Sequence, residues 1–199
     1  YYFHCPYLLA ETNTEIKGIL PLTHIHFPLS KGKLVSLPYC DVGGILADNE
    51  NTASQLFRSA LDYAQTKNIK SLEIRDQAPV TDLGTQHTAH PGKIRMILKL
   101  PGDSEILLKS FKSKLRSQIN KPQRDGLQTK IGGNELLDDF YSIHARNMTY
   151  LGSPPHSRRW FQKIFSFFDS QAGIIIVYLP EGMPAAGGIY LASSETFTI

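Results

Sequence analysis

Ile174-Ile175-Ile176-Val177-Tyr178 is an unbroken apolar run inside the segment Gly173 to Leu179. Continuous apolarity over that length, rich in β-branched side chains, implies a strand buried on both faces. A chain with such a strand has to cover it on each side, and the neighbouring segments have the right patterns. Ser157 to Phe168 reads as a helix with Trp160, Phe161, Ile164, Phe165 and Phe168 inward. Before it, Asn134 suits the cap of a helix running to about Leu151, closed by Gly152 and followed by Pro154-Pro155. The apolar face of that helix holds Leu136, Leu137, Phe140, Ile143, Met148 and Leu151, and His144 and Asn147 fall inside it. Buried polar side chains need partners. The pair therefore either bonds to neighbouring backbone or lines a substrate cleft. Leu127 to Ile131, Ala185 to Leu191 and the segment from Glu195 onward complete the set as strands.

The first half uses similar pieces in a similar order. Tyr1 to Glu11 and Gly18 to Phe27 form a likeness of a hairpin around the polar turn Thr12 to Lys17, and Lys33 to Leu37 is a third strand. A loop follows, PYCDVGGILADNE. Asn51 or Thr52 then caps a helix with Leu56, Phe57, Ala60, Leu61 and Ala64 on one face, and Asn68 suits its end. Lys70 to Arg75 is a strand, Asp76 to Gly92 is irregular, and Lys93 to Leu100 is a further strand. Pro101-Gly102 is the best punctuation in the chain and divides it into 1–102 and 103–199.

Charge is concentrated just past that boundary. Ser104 to Gly126 carries six cations (Lys109, Lys112, Lys114, Arg116, Lys121, Arg124) against Glu105 and Asp125, a local net charge of +4 in a chain of net +3. The remainder therefore sums to −1, and anionic ligands should respond to this stretch. Leu108, Phe111, Leu115 and Ile119 make one apolar stripe of a helix that Asp103 or Ser104 caps. Pro122 should stop it near Lys121, because the residue before a proline disfavours helix. A docked helix with solvated lysines accounts for the same pattern. Arg158 and Arg159 open another helix, where the dipole opposes positive charge, which calls for a nearby anion. Lys114, Arg116, Lys121, His144, Asn147, Arg158 and Arg159 are accordingly the candidate substrate-binding residues.

Several chemistries lack the residues they need. Two cysteines, Cys5 and Cys40, give no disulfide framework, and a reducing, cytoplasmic setting is the simpler expectation. No apolar run reaches the length of a membrane span. His24-x-His26 and His87-x-x-His90 each lack a third ligand for zinc, so no metal is expected. Cys40 beside Asp41, with the upstream histidines, is a loosely specified nucleophile at best. There is no G-x-x-x-x-G-K-[ST], no G-x-G-x-x-G and no G-x-S-x-G. Asp139, Glu135 and Glu195 are available as bases, and none is singled out, so the catalytic residue stays unknown.

Laid end to end, the second half reads strand, helix, helix, then three strands. The first half reads three strands, loop, helix, strand, strand. This is one order seen through a window, the first copy lacking its front and the second its back. It resembles the GNAT-type acyltransferase fold: α/β (α+β), two tandem domains with mixed sheets, both truncated. KSFKSKLRSQINKPQRDGL, FYSIHARNMTYLGSPPHSRRWF and GMPAAGGIYL, with GILPL, LVSLPYCDVGGILAD and LEIRD, carry a closer likeness. They resemble the FemAB-like proteins, and more narrowly the bacterial FemAB-related group associated with exopolysaccharide and PEP-CTERM sorting systems. The most specific parts are the basic helix and Asn147 to Pro154.

That resemblance implies acyl or aminoacyl transfer onto an anionic cell-wall or polysaccharide precursor, with no tightly bound cofactor. The donor would be aminoacyl-tRNA or acyl-CoA as co-substrate, which makes tRNA a further partner. Two departures bear on it. Relatives keep the basic helix running where this chain has Pro122. The [QR]-x-x-G-x-[GA] donor signature is replaced, in the first copy, by Tyr39 to Gly44, which disfavours CoA there. A reading from a different class is a non-catalytic module binding an anionic glycan or nucleic acid through the basic helix.

Overall fold

A computed structural model describes residues 3–26, 31–76, 88 and 96–199. The irregular stretch expected over Asp76 to Gly92 lies almost wholly outside the described residues, as do His87 and His90 and the start of the strand expected over Lys93 to Leu100. Met96 to Leu100, its described part, forms no strand and is exposed. Two compact units are present, Tyr1–Leu98 and Lys99–Ile199.

The first unit runs β1 (Tyr7–Thr12), β2 (Glu15–Pro21), β3 (Thr23–Ile25), β4 (Lys33–Val35), β5 (Leu46–Ala47), α1 (Glu50–Thr66) and β6 (Ser71–Glu73). Asn13 and Thr14 sit at φ 48° and 75° between β1 and β2, the left-handed pair that a tight hairpin turn requires. The second expected strand, Gly18 to Phe27, is broken at Leu22. Its first part pairs in the sheet β1-β2-β5, and its second part pairs in β3-β4-β6. The latter sheet is mixed, with β3 antiparallel and β6 parallel to β4. Leu56, Ala60 and Ala64 of α1 pack on Leu20, Leu22, Leu34 and Ile69. Leu61, expected on that face, is 38% exposed. The cap is Asn49, earlier than expected, and its side chain accepts from the Thr52 amide at 2.9 Å. At the other end Asn68 takes φ 53°. Its N–H donates to the Gln65 carbonyl and that of Ile69 to Ala64, which closes the helix as a Schellman motif.

The second unit runs α2 (Ser104–Ser110), α3 (Ser113–Arg124), β7 (Gln128–Gly132), a 3-10 turn at Asn134–Leu136, α4 (Leu137–Tyr150), α5 (Arg158–Phe168), a second 3-10 turn at Asp169–Gln171, then β8 (Ala172–Tyr178), β9 (Pro184–Ala192) and β10 (Phe197–Thr198). The four strands form one antiparallel sheet in the order β10-β9-β8-β7. Phe140, Phe161 and Phe165 of the two long helices pack against Ile174, Ile176 and Tyr178.

Four expectations need correcting here. Ile174 and Ile176 are 0% exposed but Ile175 and Val177 are only half-buried, because α4 and α5 both lie on the Ile174 face. The basic stretch is two helices, since Phe111 and Lys112 take extended ψ of 149° and 150°. Nor does Pro122 stop the second of them. It sits in the last turn, where its carbonyl still accepts from the Leu127 amide at 3.0 Å. The stop is Gly126, at φ 80°, whose N–H donates to Gln123 in another Schellman closure. Asn134, expected as a cap, opens the 3-10 turn instead, and Glu135 accepts from the Gly133 amide at 2.8 Å. Among the described residues no helix is long and apolar enough to cross a membrane.

Candidate functional site

The side chains that carry chemistry in the second unit gather where α4 meets the start of α5. Two polar contacts fix α4 first. Tyr178, buried on β8, donates its hydroxyl to Asp139 Oδ2 at 2.5 Å, and that carboxylate holds the phenol's pKa above its ordinary value. Lys130 Nζ lies 5.0 Å from the centre of the same ring, within cation–π range. Arg158 Nε donates to Asp138 Oδ1 at 2.6 Å and so ties the first turn of α5 to the first turn of α4. The anion that the placement of Arg158 called for is a carboxylate of the protein. Ser157 caps α5 by accepting from the Trp160 amide at 3.3 Å.

An aromatic cluster follows. Phe140 stacks on His144 with ring centres 5.7 Å apart, and Phe161 meets the His144 ring edge to face at 5.0 Å. Tyr141 lies tilted beside them. His156 stacks on Trp160 at 4.5 Å and 20°, and Trp160 in turn meets Phe161 at 5.0 Å. His144 Nε2 is buried and has no hydrogen-bond partner among the described residues. Burial, and secondarily the nearby His156, push its pKa below the ordinary imidazole value. A neutral imidazole facing aromatic carbon is the result. His144 as a whole is half-buried and Asn147 is exposed.

The basic stretch divides by role. Arg116 is half-buried, and its Nη1 donates to the carbonyls of Phe111 at 2.9 Å and Lys109 at 3.2 Å, satisfying the end of α2. Lys121 pairs with Asp125 and Lys109 with Glu105, each one turn away. Lys112, Lys114 and Arg124 are exposed, with no carboxylate within bridging distance among the described residues. Of the seven sequence-derived candidates, His144 is part of the aromatic cluster, Arg158 joins the two helices that carry it, and Arg159 is exposed in the first turn of α5. Asn147 shares α4 with His144. Lys114, Arg116 and Lys121 belong to α3. An open depression elsewhere in the unit, lined by Gly133, Asn134, Phe165, Asp169 and Tyr190 among others, holds none of the seven.

His156, Trp160 and Tyr141 were missed by sequence reasoning. The signal was present in the run of aromatic residues and histidines between Phe140 and Phe161. Phe140, Trp160 and Phe161 of that run read as inward-facing from sequence, and Trp160 is in fact 37% exposed. In the first unit the loop after β4 is tied to the segment that follows β6. The Gly43 amide donates to the Arg75 carbonyl at 3.0 Å and the Ile45 amide to Asp76 Oδ2 at 3.2 Å, so two amides are engaged internally. Cys40 is an exposed free thiol. His24 and His26 lie 5.9 Å apart, and no cluster able to hold a metal occurs among the described residues.

The class these features define is a mixed α/β, GNAT-like fold. Its sequence matches the FemAB family over residues 49–181, two thirds of the chain, and the protein belongs to that family. It is 30% identical over 115 residues to the UDP-N-acetylmuramoylpentapeptide-lysine N(6)-alanyltransferase of Weissella viridescens, across 56% of this chain and 34% of that protein. The crystal structure of FemX superposes with a TM-score of 0.58 and 18% identity, covering 89% of this chain and 49% of the other. The chain thus spans about half or less of the relatives it matches.

Proposed function

We propose that the protein transfers an aminoacyl or acyl group to an amine of an anionic cell-wall or cell-surface polysaccharide precursor. Membership of the FemAB family, with a relative named for alanyl transfer to a lysine N6, is the observation that carries this reading. The precursor amine attacks the carbonyl of an activated ester, the nitrogen loses a proton, and the ester oxygen leaves as an alcohol. Orientation of the two reactants and stabilisation of the developing oxyanion suffice for such a step, without a covalent protein intermediate. Aminoacyl-tRNA is the favoured donor and acyl-CoA the alternative, and the tRNA-dependent reaction suits the cytoplasm.

In this reading residues 1–102 and 103–199 correspond to two GNAT-like domains. Lys114, Lys121 and Arg159 meet substrate phosphates. Arg116 and Arg158, whose guanidinium groups already have protein partners, shape the site more than they contact the ligand. His144 and Asn147 face the acceptor from α4. The test is to incubate the protein with precursor and either labelled aminoacyl-tRNA or labelled acyl-CoA, in parallel. Label on the precursor from one donor supports the reading, and label from neither overturns it. The exposed cations of α3 favour one second reading, a module that only binds anionic glycan or nucleic acid. It would show tight, salt-sensitive binding with no transfer.

A further inference from the structure

The depression where β7 ends and β8 begins holds polar groups that the fold leaves unused. The side chains of Asn134, Asp169, Ser170 and Tyr190 line it and make no hydrogen bond or ion pair among the described residues. Its volume is about 330 Å³, far above the roughly 30 Å³ of one water molecule, so an organic stem fits beside a head group. Bare glycines let side chains lie close over the backbone here. A Cβ on Gly173 would collide with the Tyr190 ring, which crosses from the facing position on β9 and stacks on Phe197 at 4.7 Å. A Cβ on Gly132 would collide with the Glu135 carboxylate. Tyr190 and Glu135 are therefore held in place before any ligand arrives.

The lining also has a sign. Asp169 is its one charged residue, Glu135 lies against its Gly132 rim, and no lysine, arginine or histidine lines it. The Gly133 amide, which a glycine turn ahead of a helix could offer to an anion, donates to Glu135 instead. That bond holds the Glu135 carboxyl below its ordinary pKa and keeps it ionised. An anion would thus be repelled and find that amide taken. A purely apolar partner would meet Phe165 and Ala172 but leave the polar side chains without partners. An uncharged polyol would satisfy those side chains and leave the negative charge uncompensated. A primary ammonium on an aliphatic stem uses all of them.

We propose that this depression binds a primary alkylammonium group, its N–H donors shared among oxygens of Asp169, Ser170 and Tyr190 and its stem along Phe165 and Ala172. The site includes none of the seven candidate substrate-binding residues and does not depend on the transferase reading. Two sources carry this chemistry: a free diamine, or the lysine side chain of a peptide.

The protein is titrated by calorimetry at low salt with cadaverine and with Nα-acetyl-lysine methylamide. Pentanediol and glutarate serve as the uncharged and anionic counterparts of cadaverine. Saturable binding of an amine is expected, and none of pentanediol or glutarate. Tighter cadaverine assigns the site to a free diamine, and tighter lysine derivative assigns it to a peptide side chain. Asp169→Asn should bind the preferred amine at least about 10-fold more weakly, as loss of a charged hydrogen bond implies. Asparagine suits the left-handed backbone at φ 43°, so this variant keeps the turn. Tyr190→Phe retains the ring on Phe197 and loses the hydroxyl, and should weaken binding by less than Asp169→Asn does. The site is overturned if neither amine saturates, if pentanediol or glutarate binds as tightly as the amines, or if either variant binds like the native protein.

Discussion

Arg116 closes the C-terminal end of α2 through the carbonyls of Lys109 and Phe111, so its charge is part of the fold. Sequence placed it among the candidate substrate-binding cations of one continuous helix, because a break at Phe111 leaves no trace in the apolar periodicity. Arg116→Ala should therefore cost about 1–2 kcal/mol in urea unfolding, from two lost charged hydrogen bonds at a half-buried site. Lys114→Ala, on the same helix, should stay within about 0.5 kcal/mol. His144 carries a second residue-scale prediction. Its folded pKa lies below the ordinary 6.5, so the unfolded chain binds the extra proton first. Stability should be full above that value and fall as pH drops through it towards the folded pKa. His24, also pushed down by burial and by its neighbours His26 and His4, adds to the fall with the same sign. Melting temperature against pH should be steeper in the native protein than in His144→Phe, and equal slopes would remove His144 as the cause.

Helix ends in this chain are written in residues that tolerate a left-handed backbone, and three helices close the same way. α1 does so at Asn68, α3 at Gly126 and α4 at Gly152. Sequence reading found Asn68 and Gly152, but at α3 it preferred the steric rule for Pro122 over the glycine four residues on. A proline in the final turn lacks only one amide, and the Schellman bonds around it recover the carbonyls. Gly152 stands at φ 69° with nothing within 4 Å of a would-be Cβ, so backbone strain alone decides its substitution. Gly152→Ala should destabilise by about 1 kcal/mol. Gly102→Ala, equally open but not left-handed, should be neutral or slightly stabilising. Thermal unfolding of the two variants checks both. The strand β8 was found from its composition, and its one-sided burial was not. Only the packing of both α4 and α5 against Ile174, Ile176 and Tyr178 reveals which face is covered.

For the molecule as a whole, the sequence carried the mixed α/β class and the family, because both rest on element order and on local motifs. It did not carry the aromatic cluster, which depends on α4 and α5 meeting at His144, His156 and Trp160. Positive charge held on α3 and at the start of α5 predicts that precursor binding weakens as salt rises. Neutralising Lys114, Lys121 and Arg159 together should flatten that dependence. An unchanged salt slope in the triple variant would show these side chains to be solvated surface. The central claim, that this FemAB-family protein is an aminoacyltransferase, is tested most directly by the mass of the precursor after incubation with aminoacyl-tRNA. The account predicts a gain of one aminoacyl residue, on an amine, that requires the protein. A precursor recovered at its original mass with both aminoacyl-tRNA and acyl-CoA, while still bound by the protein, would contradict it.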